Sequence, residues 1–151
     1  MTMKSVDEIL DFAIAREQAA HDFYMDLAEK MEFRGMKDIF VQFAGEELGH
    51  KARLNGIKAG KRLLPSADKV LNLKIAEYVV DVDPNEELDY QKALILAMKR
   101  EKSSYKLYGD LAEAIVDDED LKNTFLALAQ EEAKHKLCFE VEYDDVILAE
   151  N

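Results

Sequence analysis

The sequence predicts an all-α fold: an antiparallel four-helix bundle built from two helical hairpins joined by one long crossover. Three observations predict it. Apolar residues recur at the three-to-four-residue spacing of a helix through four long stretches. Only 6 Gly and 2 Pro interrupt 151 residues, and both prolines fall in the middle of the chain. The two halves of the sequence also repeat one another, helix for helix.

The first helix opens at Ser5-Val6-Asp7-Glu8, a capping box in which Ser5 is the N-cap and Glu8 reaches back to it. Its apolar stripe is Ile9, Leu10, Ala13, Ile14, Ala20, Tyr24, Leu27, Ala28 and Met31, and Gly35 is placed to end it. The second helix is expected from about 37 to 59, with Ile39, Phe40, Phe43, Ala44, Leu54 and Ile57 turned inward and Gly60 as its stop. Residues 61–88 hold Pro65, Pro84 and several turn formers, with a short helix expected over 73–80. The third helix runs from about 89 or 90 to 116, and the Asp117-Asp118 pair caps the fourth, which reaches about 149. Acidic residues in the first turn of the fourth helix suit its dipole. Short joins inside each hairpin make its helices antiparallel, and the long middle segment carries the chain across the bundle. The length fits a single domain over 1–151, with hairpins at about 5–60 and 89–149 around a crossover at about 61–88.

Composition narrows the class. With 48% hydrophobic and 34% charged residues the chain reads as a soluble globular protein. A net charge of −12 repels nucleic acid and anionic membrane, so neither is an expected partner. The longest apolar run, residues 93–98, is far too short to span a bilayer. Cys138 is the only cysteine, which excludes an intrachain disulfide and a four-cysteine metal site. The first ten residues carry acidic groups and no apolar leader segment, so a cytoplasmic location is expected.

The repeat shows where the chemistry lies. Arg16-Glu17 matches Arg100-Glu101, Tyr24 matches Tyr108, and Leu27-Ala28-Glu29 matches Leu111-Ala112-Glu113, all at an offset of 84. With one residue added in the second hairpin, residues 40–51 match 125–136 and share Phe, Ala, both Glu, His and Lys. The shared polar residues sit on apolar faces. Glu17 is one heptad from Leu10 and Tyr24, Glu47 from Phe40 and Leu54, and His50 from Phe43 and Ile57. Glu101 stands likewise between Leu94 and Tyr108, Glu132 between Phe125 and Phe139, and His135 one heptad from Leu128.

Four inward carboxylates at one level are untenable by themselves, because each costs several kcal/mol to desolvate and each repels the others. Protonation, paired cations or metal would relieve them, and no Lys or Arg occupies an inward heptad position. Two divalent ions would balance four glutamates and leave two histidines as neutral ligands. In each Glu-x-x-His, the residues at i and i+3 share a face and can bind one ion. The candidate metal ligands are therefore Glu17, Glu47, His50, Glu101, Glu132 and His135. One Glu from each of two helices plus Glu-x-x-His from the other two is a known di-iron arrangement, and Mn or Zn also suits such donors.

Four further residues are candidates for a place behind the ligands. His21, on the face of Glu17 and one turn on, is read as a partner of a ligand carboxylate, a seventh ligand or a satisfied core histidine; its repeat partner is Tyr105. Tyr24 and Tyr108 are core residues with satisfied hydroxyls or donors to a ligand Glu. Glu46 and Glu131 read as flanking groups, and Cys138 as a small buried hydrophobe.

At these residues the chain resembles the rubrerythrin and ferritin-like superfamily over nearly its whole length, and most of all the short rubrerythrin-type proteins that lack a rubredoxin domain. The resemblance implies a ferritin-like bundle with a carboxylate-bridged di-iron centre that reacts with hydrogen peroxide or dioxygen, as in defence against oxidative stress. It implies that Glu47 and Glu132 bridge two Fe ions, that Glu17 and Glu101 are terminal, and that His50 and His135 each bind one. Two features depart from the family pattern. One cysteine cannot build the four-cysteine iron site that feeds electrons inward, so an external donor such as a rubredoxin-like protein is implied. Ser104 stands where a further Glu is usual, which makes the donor set symmetric, as in bacterioferritin. An oxidoreductase is expected. The alternatives are an iron-handling ferroxidase without its own reductase and a non-catalytic bundle holding structural Zn or Mn. A homodimer is expected in each case, since acidic bundles often bury a spare apolar stripe.

Overall fold

The computed structural model describes residues 4–30, 34–83 and 85–150. The chain resolves into two compact units, residues 2–73 and 74–151. Among the described residues no helix is long and apolar enough to cross a membrane.

The first unit is a hairpin of α1 (Val6–Lys30) and α2 (Arg34–Ala59). The Glu8 N–H donates to the Ser5 carbonyl oxygen at 3.2 Å as α1 begins. Asp7 and Glu8 in its first turn and Lys30 in its last complement the helix dipole. Its buried face carries Ile9, Leu10, Ala13, Glu17, Tyr24, Leu27 and Ala28, the expected apolar stripe with one glutamate in it. Met31 lies outside the described residues. Gly35 does not end this helix, contrary to expectation. It stands in the first turn of α2, and no glycine takes the positive φ that a helix-ending glycine uses.

α2 stops at Ala59 as expected, but through Lys61 rather than Gly60. Lys61 adopts φ 53°, its N–H donates to the Lys58 carbonyl at 3.1 Å, and the Arg62 N–H donates to the Ile57 carbonyl at 3.1 Å. These two bonds close the last turn in the pattern usually completed by glycine. A 3₁₀ turn at Leu64–Ser66 and a single helical turn, α3 (Ala67–Val70), follow, neither foreseen in the sequence. They bury Leu63, Ser66 and Val70.

The second unit begins with a 3₁₀ turn at Ile75–Tyr78, inside the segment expected to be helical. Tyr78 is buried, and its hydroxyl donates to Asp110 Oδ2 at 2.7 Å. Ser103 Oγ donates to the Tyr78 carbonyl oxygen, and the Lys106 ammonium sits 4.9 Å from the ring centroid. These contacts fasten the crossover to α4 (Tyr90–Ala114). Asp89 caps α4, its carboxylate accepting from the Lys92 N–H at 2.8 Å. The expected aspartate pair divides its work at the next join. Asp117 takes φ 55°, which aspartate tolerates, and Asp118 caps α5 (Glu119–Glu150) by accepting from the Leu121 N–H at 3.0 Å. The Tyr90 hydroxyl donates to Glu142 Oε1 at 2.9 Å, which ties the start of α4 to the far part of α5, as an antiparallel pair requires.

Candidate metal centre

Each hairpin buries one triad of two glutamates and a histidine. In the first, Glu17 comes from the middle of α1, and Glu47 and His50 from the middle of α2. All three are 1% exposed. They are buried because their heptad neighbours are: Leu10 and Tyr24 on α1, and Phe40, Phe43, Leu54 and Ile57 on α2 are all core residues. His50 Nδ1 stands 3.5 Å from Glu17 Oε2 and 3.8 Å from Glu47 Oε1. Each residue offers one ligand atom within 4.8 Å of the others.

The second hairpin repeats this arrangement. Glu101 on α4 and Glu132 and His135 on α5 are buried, with Leu94, Tyr108, Phe125, Leu128 and Phe139 around them in the core. His135 Nδ1 stands 3.6 Å from Glu101 Oε1 and 4.0 Å from Glu132 Oε1, and again one ligand atom from each residue lies within 4.8 Å of the others. The sequence repeat is thus a repeat of side-chain geometry.

The spacing fits a cation. A strong N–H···O bond needs about 2.7–3.2 Å. Ligand atoms about 2.0–2.2 Å from a shared ion, at tetrahedral to octahedral angles, stand about 3–3.6 Å apart. The imidazole–carboxylate separations of 3.5–4.0 Å lie closer to the second range. Two carboxylates and a neutral imidazole also make a donor set with the charge to balance one divalent ion. Among the described residues, no group outside the six expected ligands joins a buried cluster of this kind.

The remaining candidates are placed differently. His21 is on the flank of α1 with 24% of its side chain exposed, and its Nδ1 is 2.9 Å from Asp22 Oδ1. That hydrogen bond, with a second from Gln18, holds the Asp22 carboxyl below its usual range. Tyr105, its repeat partner, is 50% exposed and lines a surface groove with Lys102, Lys106 and Leu126. The expectation that Tyr105 backs a ligand is therefore corrected: four residues past Glu101 the helix has turned about 40° beyond full turns, and here that suffices to reach solvent. Tyr24 and Tyr108 are both 1% exposed, and each rests on the matching phenylalanine of the neighbouring helix. The Tyr24 ring lies 6.5 Å from Phe40 and the Tyr108 ring 6.2 Å from Phe125, both stacked. Ser104 is buried one turn past Glu101. Cys138 is half-buried rather than buried, and burial, with the Glu142 charge adding to it, pushes its thiol up.

Comparison with known proteins agrees with this geometry. A solved structure from Thermotoga maritima, described as a ferritin-like diiron-carboxylate protein, superposes with a TM-score of 0.78 at 24% identity, covering 96% of this chain and 97% of that one. That likeness shows the fold, a ferritin-like helical bundle. No curated protein matches significantly. The rubrerythrin family profile matches residues 8–143, a span that takes in both triads and the crossover between them. By that match the chain belongs to the rubrerythrin family.

Proposed function

We propose that the two triads together hold two iron ions, and that the protein is a di-iron carboxylate oxidoreductase acting on hydrogen peroxide or dioxygen. The observation that carries this reading is the pair of equivalent buried Glu/Glu/His sets. Four glutamates carry −4 and two divalent ions +4, so the ions turn an expensive buried charge cluster into a neutral one. Two iron(II) ions held there would supply the two electrons that, with two protons, reduce one hydrogen peroxide to two waters, and an external donor such as a rubredoxin-like protein would return them.

The chain's own residues have separable tasks in this reading. Glu17 and Glu101 would hold one ion each, and Glu47 and Glu132, one turn before the histidines, would be shared between them. His50 and His135 would serve as neutral ligands, so metal binding would compete with imidazole protonation. Tyr24 and Tyr108, each clamped on a phenylalanine, close the apolar layer one heptad from the ligands and limit water there. The symmetric donor set, with Ser104 in place of a further carboxylate, also suits iron oxidation followed by release, a ferroxidase role.

Anaerobic reconstitution with iron(II) tests the proposal. Two irons per chain, and a visible absorption that forms with peroxide and decays on adding a reduced donor protein, are the expected results. Iron that is oxidised once and then leaves favours the ferroxidase role. Two zinc or manganese ions that iron cannot displace, with no spectral response, would make the metal structural.

A further inference from the structure

The two hairpins share their Glu/Glu/His sets but not what flanks them. At the offset of the repeat, Gln18, His21 and Asp22 on α1 match Lys102, Tyr105 and Lys106 on α4. The first flank offers an imidazole and a carboxylate where the second offers two ammonium groups and a phenol. Ammonium groups repel an approaching cation, and a neutral phenol is a poor ligand. Of the two flanks, that of α1 carries the donors suited to a divalent transition-metal ion.

Those donors are arranged as a metal-binding histidine and its support. His21 Nδ1 is 2.9 Å from Asp22 Oδ1, and Gln18 Nε2 donates to the same oxygen at 2.9 Å. Gln18 Oε1 accepts from Lys51 Nζ at 2.7 Å, which ties this group to α2 one residue past His50. A neutral imidazole that donates its Nδ1–H to a carboxylate keeps its lone pair on Nε2 and becomes a better base. Histidines that bind metal are oriented in this way. His21 also stands in the right place. It lies one helical turn past Glu17, and residues at i and i+4 are neighbours on a helix surface. Glu17, Glu47 and His50 are each 1% exposed, whereas the His21 side chain is 24% exposed and Asp22 65%. From Asp22 through His21 to Glu17 the helix therefore passes from water to the buried triad. An ion bound for that triad has to shed its water on the way, and a partly exposed imidazole can replace the first of it.

We propose that His21, oriented by Asp22, is the entry ligand of the first triad: Nε2 takes a divalent metal ion from solvent and hands it to Glu17, from which it passes to Glu47 and His50. The ion keeps its charge throughout, and only its donors change. Nε2 replaces water, the buried groups then replace Nε2, and His21 is not a ligand of the filled site. This role rests on the reading of the triads as a metal centre.

Cobalt(II), which reports its own binding by visible absorption, is the probe. It is mixed under argon with the metal-free full chain, uptake is followed by stopped flow, and bound metal is counted at the end. The wild-type chain is expected to take up two ions. His21→Ala is expected to slow uptake roughly tenfold, with the same final count, the same final spectrum and unchanged helical circular dichroism. His21→Gln is expected to match it, and decides should alanine disturb the helix. Asp22→Asn is expected to slow uptake less, and to add nothing in the His21→Ala background, because Asp22 acts through His21. Tyr105→Ala, on the matching flank of α4, is expected to leave the rate unchanged. Uptake by the His21 variants at the wild-type rate overturns the proposal. So does a final count below two in them, which would make His21 a permanent ligand. Further slowing by Asp22→Asn in the His21→Ala background overturns it too, since the flank would then act only as an attracting charge, as does an equal slowing by Tyr105→Ala. A wild-type chain that binds no cobalt would bring down the metal reading itself, and the entry role with it.

Discussion

Individual buried groups decide both binding and stability in this protein, and sometimes in opposite directions. Glu17 is the clearest case. Without metal it is buried beside Glu47, so a neutral replacement removes like-charge repulsion and a desolvation cost of several kcal/mol. With metal, the same replacement removes a ligand. Glu17→Gln is therefore expected to raise the unfolding midpoint of the metal-free protein and to lower bound metal from two ions per chain to one, measured by calorimetry and metal analysis. A midpoint that falls in both forms would show the carboxylate to be structural. Tyr78 works by another route. Burial first, and then its bond to the Asp110 carboxylate, pushes its hydroxyl well above the usual value of about 10. The folded protein thus favours the neutral phenol, and this contribution is fully present below about pH 10 and is lost as pH rises beyond it. Tyr78→Phe is expected to cost about 1–1.5 kcal/mol in denaturant unfolding at neutral pH and to flatten the alkaline fall in midpoint. Tyr90, raised by burial and Glu142, should account for much of the fall that remains.

At the level of elements, the four long helices and the burial of the six proposed ligand residues were legible in the sequence, because both depend on heptad spacing. Glu17, Glu47, Glu101 and Glu132 could be placed in the interior from Leu10, Phe40, Leu94 and Phe125 alone. Joins were less legible. Gly35 and Gly60 looked like helix stops by residue type, yet the left-handed residue is Lys61, because the stop is set by which N–H groups reach the Lys58 and Ile57 carbonyls. The clasp of Tyr78 on Asp110 and Ser103 joins residues 25 and 32 positions apart, beyond any local pattern. Tyr105 was placed by its alignment with His21, but a residue on the flank of a helix faces water or core according to its neighbours in space, and the repeat does not fix those. The unusual stop makes a prediction. A lysine in the left-handed region carries a penalty of about 1 kcal/mol that glycine lacks, so Lys61→Gly should raise stability by roughly 0.5–1 kcal/mol. Asp118→Ala, which removes the α5 cap, should lower it by about 1 kcal/mol. Both are read from urea midpoints at unchanged slope.

For the whole molecule, two kinds of negative charge must be kept apart. The chain carries −12, most of it on exposed side chains, where salt at about 0.15 M screens interactions beyond roughly 8 Å. Glu17, Glu47, Glu101 and Glu132 are at most 2% exposed, and salt reaches them poorly. Removing the metal leaves the first kind unchanged and uncovers the second. Chelation is therefore expected to lower the unfolding midpoint, both because a ligand specific to the folded state is lost and because the buried carboxylates are left facing one another. Adding salt to about 0.5 M should raise the midpoints of the metal-free and metal-loaded forms by similar amounts and leave the gap between them largely intact. Thermal unfolding with and without chelator at two ionic strengths measures this directly. A gap that closes in high salt would mean that metal acts through exposed carboxylates, and the two buried triads would no longer account for its binding.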